Sequence, residues 1–180
     1  MAKKVLILSS SPRKNGNSDL LCNNFMKGAQ DAGHEVEKIF LKEKKINYCV
    51  GCGYCANSGY NGCAQIDDMT DILKKMLESD VIVMATPVYF YTMSAQMKTL
   101  IDRCCAVYTK IKNKEFFFIM TAAEGDKSLL ERTKDSFMGF LDCLENPKDR
   151  GAVYAAGVWE KGEVNNTVYP QEAYNAGYNI

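Results

Sequence analysis

Short, continuous apolar runs alternate along this chain with stretches whose apolar residues recur at helical spacing. The runs are Val5 to Leu8, Val81 to Ala85, Phe116 to Met120 and Val153 to Ala156. Each is too short for a helix and apolar on both faces, which predicts buried parallel strands. Between them, Leu20, Leu21, Phe25, Ala29 and Ala32 fall on one helical face, as do Ile72, Leu73, Met76 and Leu77. The same spacing links Met97, Leu100, Ile101, Cys104 and Cys105, and again Leu129, Leu130, Phe137, Leu141 and Leu144. The segment 35–41 alternates Val36 and Ile39 with charge and predicts an edge strand, and a last helix is expected from about Gln171. Strands alternating with helices predict an α/β flavodoxin-like three-layer sandwich over a five-stranded parallel sheet of order 2-1-3-4-5. No linker or repeat divides residues 1–180, so one domain is expected, with a cysteine-rich insertion at about 42–66.

In this fold, ligands bind where loops leave the carboxyl ends of the strands. The loop after the first strand reads Ser9-Ser10-Ser11-Pro12-Arg13-Lys14-Asn15-Gly16-Asn17-Ser18 and runs straight into a helix. It is neither G-x-G-x-x-G nor a Walker loop. Hydroxyls, backbone N–H groups and a helix N-terminus nevertheless supply convergent donors for a phosphate, with Ser9, Ser11, Asn17 and Ser18 as candidates and Arg13 as the charge. A plain loop capped by Asn17 or Ser18 would explain one hydroxyl rather than the whole run. After the third strand comes Thr86-Pro87-Val88-Tyr89-Phe90-Tyr91, whose aromatics suit a planar ring or a protein contact. After the fourth come Thr121, Ala122, Ala123, Glu124 and Gly125, small enough for close approach to a ring.

Cys49, Cys52, Cys55 and Cys63 form C-x2-C-x2-C-x7-C among four glycines. Overlapping two-residue gaps direct thiolates to one centre and point to an iron-sulfur cluster; zinc and redox or structural thiols remain alternatives. Cys22, Cys104, Cys105 and Cys143 lie in helix-like segments and read as small core hydrophobes. Lys plus Arg and Asp plus Glu each number 22, so no net field would hold the chain on nucleic acid or an anionic membrane. The absence of a signal-like apolar segment after Met1 predicts a cytoplasmic protein with reduced thiols. Asp67 and Asp68 are expected to begin a helix, Asp102 and Arg103 to make a structural or interface ion pair, and His34 to be exposed.

The set SSPRKNGNS, the cysteine motif, IDDM, TPVY and KTLIDR resembles the iron-sulfur flavoprotein family, within the NADPH-dependent FMN reductase group. The resemblance covers the whole chain, with GAVYAAGVWEKGEV and PQEAYNAGYNI similar to the family's last strand and helix. It implies FMN, its phosphate on Ser9, Ser11, Pro12, Arg13, Asn17 and Ser18. Its ring would lie against Pro87, Val88, Tyr89 and Phe90, with Thr121, Ala122 and Gly125 on the other side. It also implies a 4Fe-4S cluster on the four loop cysteines and a homodimer or homotetramer. The function expected is an FMN oxidoreductase passing electrons from NAD(P)H or ferredoxin to an acceptor, the cluster relaying them singly. The alternatives are a cluster-free NAD(P)H-dependent FMN or quinone reductase, and a flavodoxin-type carrier.

Overall fold

A computed structural model describes residues 1–180. The strands are β1 (Lys4–Ser9), β2 (Glu35–Phe40), β3 (Val81–Tyr89), β4 (Thr92–Met93), β5 (Glu115–Thr121) and β6 (Lys148–Ala155). The helices are α1 (Asn17–Asp31), α2 (Tyr54–Asn57), α3 (Met69–Glu78), α4 (Ala95–Arg103), α5 (Glu131–Leu141) and α6 (Tyr169–Tyr178). Five strands run parallel in the order β2-β1-β3-β5-β6, which is the expected order. A sixth, β4, pairs antiparallel with the end of β3 and was not legible as a strand. The last strand begins five residues earlier than its apolar run, because its first three residues are exposed and polar.

Period-two alternation sorts the sheet's side chains onto two faces. Val5, Ile7, Val83 and Ile119 pack with Leu21, Phe25 and Ala173 under α1 and α6. Leu6, Leu8, Met84 and Phe118 pack with Ile72, Met97 and Phe137 under α3, α4 and α5. Both faces are covered, as a parallel sheet requires. α1 and α6 touch through glycine: a Cβ on Gly28 would lie 2.0 Å from the Tyr174 carbonyl, and one on Gly177 2.1 Å from that of Phe25. No helix is long and apolar enough to cross a membrane.

Two sequence expectations about thiols and one about histidine change here. Cys22 and Cys104 are buried core residues, but Cys105 and Cys143 are exposed. Cys105 belongs to a 3-10 turn over 104–106 that breaks the helical phase of α4, and Cys143 lies beyond the end of α5. His34 is half-buried, and its Nδ1 accepts from the Lys3 N–H at 3.1 Å, tying the helix-to-strand turn to the chain's start.

Candidate active site

Three loops meet at the carboxyl edge of the sheet because short buried hydrogen bonds tie them. Ser10 donates from both its N–H and its hydroxyl to the Ala85 carbonyl, each at 2.9 Å. Its Oγ accepts from Ser94 Oγ at 2.9 Å, and the Ser94 N–H donates to Thr86 Oγ1 at 2.9 Å. Ser18 and Thr121 share a hydroxyl hydrogen bond of 2.8 Å, and Pro87 and Thr121 are register partners. The loop after β1 is therefore fixed to those after β3 and β5.

The first loop ends in an anion-ready helix start. Gly16, the α1 N-cap, has no side chain to accept from the first turn, and no group takes the N–H of Asn17, Ser18 or Asp19. Orphaned first-turn amides at the positive end of a 15-residue helix are the usual setting for a phosphate. In the Ser18–Thr121 pair one hydroxyl donates to the other, so one hydroxyl hydrogen stays available to a ligand.

The other donor candidates stand differently. Asn17 Nδ2 donates to the Glu160 carbonyl at 2.9 Å, while its Oδ1 accepts from Gly162 and Val164, so that side chain is a strut. Ser11 Oγ donates to the Arg13 carbonyl and shapes the turn. Ser9 Oγ is fully buried without a hydrogen-bond partner, beside the Cys22 thiol, which burial pushes up to about 12. Arg13 is exposed and reaches the Trp159 carbonyl at 3.3 Å. Pro12 is half-buried beside it.

The second loop is a hairpin. Val88 pairs with Met93 and Tyr89 with Thr92, leaving Phe90 and Tyr91 as a two-residue turn with φ of 50° and 62°. Such a turn favours Asn-Gly, so two aromatics here carry strain of about 1–2 kcal/mol each. Phe90 is 100% exposed, Tyr89 is exposed, and Pro87 and Val88 are half-buried. The Arg132 guanidinium lies over the Tyr91 ring, 5.1 Å from its centroid. In the third loop Ala122 is buried and Gly125 exposed, and the N–H groups of Gly157 and Val158 donate to the Glu124 and Ala122 carbonyls.

That pairing reveals a fourth loop, 157–166, that the sequence reading missed. It carries the chain's single tryptophan, exposed beside Arg13. Its signal was faint: a lone Trp among polar residues after the last strand.

The cysteine loop is clamped at its base. The Lys45 and Asn47 N–H groups donate to Asp68 Oδ2 at 2.6 Å and Asp67 Oδ2 at 3.0 Å. Arg103, 2% exposed, holds Asp67 through Nη1 at 2.7 Å and Nη2 at 3.1 Å, and Nη1 also donates to the Asn47 carbonyl. Asp67 and Asp68 thus join the two ends of the loop, although Asp67 Oδ1 also accepts from the α3 N–H of Met69, as a helix-start carboxylate would. The ion pair expected of Asp102 is with Lys98, one turn earlier on α4 and exposed.

Within the loop, Gly51, Gly53, Gly59 and Gly62 all have positive φ. At Gly51 and Gly62 nothing lies within 4 Å of a would-be Cβ, so conformation rather than crowding accounts for glycine. Cys49 and Cys52 are exposed, and Cys55 and Cys63 are half-buried. No three cysteine, histidine or acidic side chains are gathered closely enough to hold a metal ion. Cys55 Sγ instead faces Cys105 Sγ at 3.6 Å. Burial, first, and then that contact with Cys55 raise the Cys105 thiol above its ordinary value. A cavity of about 740 Å³ lies alongside, lined by Tyr60, Met93, Ile101, Cys105 and Phe140.

The family described as NADPH-dependent FMN reductase matches residues 3–155. Among curated proteins the chain is 44% identical over 100 residues to an iron-sulfur flavoprotein of Archaeoglobus fulgidus, covering 56% of this chain and 44% of the relative. It is 45% identical over 100 residues to an iron-sulfur flavoprotein of Methanocaldococcus jannaschii, covering 56% and 51%. The matched region is thus about half the length of these relatives. In fold it is similar to an NAD(P)H:quinone oxidoreductase from Methanothermobacter marburgensis, with a TM-score of 0.74, 16% identity, and coverage of 99% and 97%.

Proposed function

This chain belongs to the NADPH-dependent FMN reductase family, and we propose that it is an FMN-dependent oxidoreductase passing electrons from a reduced donor to an acceptor. The observation that carries the reading is the uncapped start of α1, whose first-turn N–H groups have no partner at the sheet's carboxyl edge. The residues fit FMN. The N–H groups of Asn17, Ser18 and Asp19 would hold the phosphate, with the spare Ser18–Thr121 hydroxyl hydrogen and the Arg13 charge beside them. Asn17 and Ser11 would act by shaping the loop. Pro87, Val88, Tyr89 and Phe90 offer an apolar and aromatic wall, and Thr121, Ala122 and Gly125 a small-residue one. When bound, FMN supplies the ability to accept a hydride as an electron pair and to release electrons singly. The side chains hold the ring and exclude water, and no Ser-His-Asp or Cys-His arrangement is needed.

We propose that Cys49, Cys52, Cys55 and Cys63 would be the ligands of a 4Fe-4S cluster, which would supply one-electron transfer. Their overlapping spacing, the positive-φ glycines between them and the relatives' names as iron-sulfur flavoproteins support this. The matching donors are NAD(P)H or a reduced ferredoxin, and the assembly is a homodimer or homotetramer. A second reading, a cluster-free NAD(P)H-dependent FMN or quinone reductase, is favoured by the loop's geometry: Cys55 lies against Cys105, and no three cysteine, histidine or acidic side chains are gathered to hold a metal ion.

The test is anaerobic addition of NADPH, NADH and reduced ferredoxin in turn to FMN-loaded protein, followed at the flavin absorbance. Bleaching by at least one donor is expected, and none by any would refute the oxidoreductase. Iron and acid-labile sulfide on the same sample decide between the readings: about four of each per chain for the cluster, none for the second.

A further inference from the structure

The cysteine loop is docked onto the chain that follows α4. The Gly62 N–H donates to the Ala106 carbonyl at 3.2 Å, and Tyr60 meets Tyr108 edge to face with centroids 5.1 Å apart. Lys110 Nζ donates to Asn61 Oδ1. These contacts bring the backbones of α2 and the 104–106 turn within 8 Å and bring Cys55 Sγ to 3.6 Å from Cys105 Sγ. We propose that Cys55 and Cys105 are a redox modification site, joined by a reversible disulfide.

The geometry favours this pair over others. A disulfide bond is about 2.05 Å long, so the two sulfurs, 3.6 Å apart, have to approach by only about 1.5 Å. Cys104, next in the chain, is buried with its Sγ against Met76 Sδ at 3.9 Å. Cys143, exposed and lining the same cavity, turns its Sγ to the Gly139 carbonyl. Cys105 lines that cavity of about 740 Å³, which admits a small oxidant.

With hydrogen peroxide the step balances. One thiol becomes a sulfenic acid as the O–O bond breaks and one water leaves. The second sulfur then displaces the sulfenic oxygen, and a second water departs with the remaining thiol proton. Two thiols are oxidised by two electrons and one peroxide is reduced to two waters. A dithiol reverses the reaction by exchange. The bond also removes Cys55 from the C-x2-C-x2-C set, so disulfide and cluster exclude each other. That consequence rests on the proposed cluster, whereas the disulfide itself does not.

The experiment strips any bound iron with a chelator, oxidises the reduced, desalted protein with hydrogen peroxide, alkylates the remaining thiols, digests with trypsin and maps peptides without reductant. Peptide 104–110 joined to peptide 46–74 is expected, separating on treatment with dithiothreitol. The joined species should be lost in Cys105→Ser and Cys55→Ser, and kept in Cys104→Ser and Cys143→Ser. No joined peptide in the wild-type protein, or one that survives Cys105→Ser, overturns the proposal. Iron and sulfide measured before oxidation separate the two ideas: a disulfide in protein that never holds iron leaves the pair standing and the cluster refuted. Iron-bearing protein that yields no disulfide after the metal is stripped refutes the pair alone.

Discussion

Arg103 grips Asp67 through two N–H groups, at 2.7 and 3.1 Å, and both side chains are almost wholly buried. The pair joins the end of α4 to the residues just before α3 and, through the Asn47 N–H and carbonyl, to the incoming end of the cysteine loop. One ion pair thus holds both ends of the loop and its docking platform.

Breaking a buried pair strands a charge. Asp67→Asn should cost about 3–5 kcal/mol in chemical denaturation, because Arg103 remains buried without its counter-ion. Hydrogen exchange should show protection lost first over residues 45–68 and 103–108. An unchanged midpoint would mean that the pair contributes little.

The same pair sets an acid limit. Burial opposes the Asp67 charge, but the Arg103 guanidinium and the Asn47 and Met69 N–H groups outweigh it, leaving the carboxyl below its ordinary range. Its contribution is therefore complete above the ordinary carboxylate pKa of about 4 and is lost as pH falls through the lower folded value. Denaturation midpoints between about pH 6 and pH 2 should fall less steeply at the acid end in Asp67→Asn than in the wild-type protein.

Phe90 and Tyr91 occupy a turn better suited to Asn-Gly. The double variant Phe90→Asn, Tyr91→Gly should gain about 1–3 kcal/mol in stability, the relieved strain exceeding the lost Tyr91–Arg132 contact. It should also bind FMN about tenfold more weakly, equivalent to about 1.4 kcal/mol. Gained stability with unchanged affinity would remove the hairpin from the flavin site.

Gly177→Ala should destabilise by about 1–3 kcal/mol, since its Cβ would meet the backbone carbonyl of Phe25 rather than a side chain that can turn away. Thermal unfolding checks this.

The sheet order was legible because buried parallel strands write themselves as short apolar runs, and the length of Val5 to Leu8 or Phe116 to Met120 favours a strand over a helix. Strand β4 was not, because two residues hold no period and Phe90-Tyr91 is not a turn sequence. The candidate phosphate loop was visible in its hydroxyls, yet which atoms stay free depends on partners far along the chain: Asn17 on 160–164, Ser18 on Thr121. The Arg103–Asp67 clamp and the Cys55–Cys105 contact were invisible for the same reason, each joining residues 36 and 50 positions apart.

The most direct measurement titrates the protein with FMN and with riboflavin, read by the fluorescence of its single tryptophan, Trp159. Charge-assisted hydrogen bonds contribute about 1.5–3 kcal/mol each, so two or more to the phosphate predict one FMN per chain with riboflavin weaker by on the order of 100-fold or more. Equal affinity for the two, or no binding of FMN, would contradict a phosphate site at the start of α1.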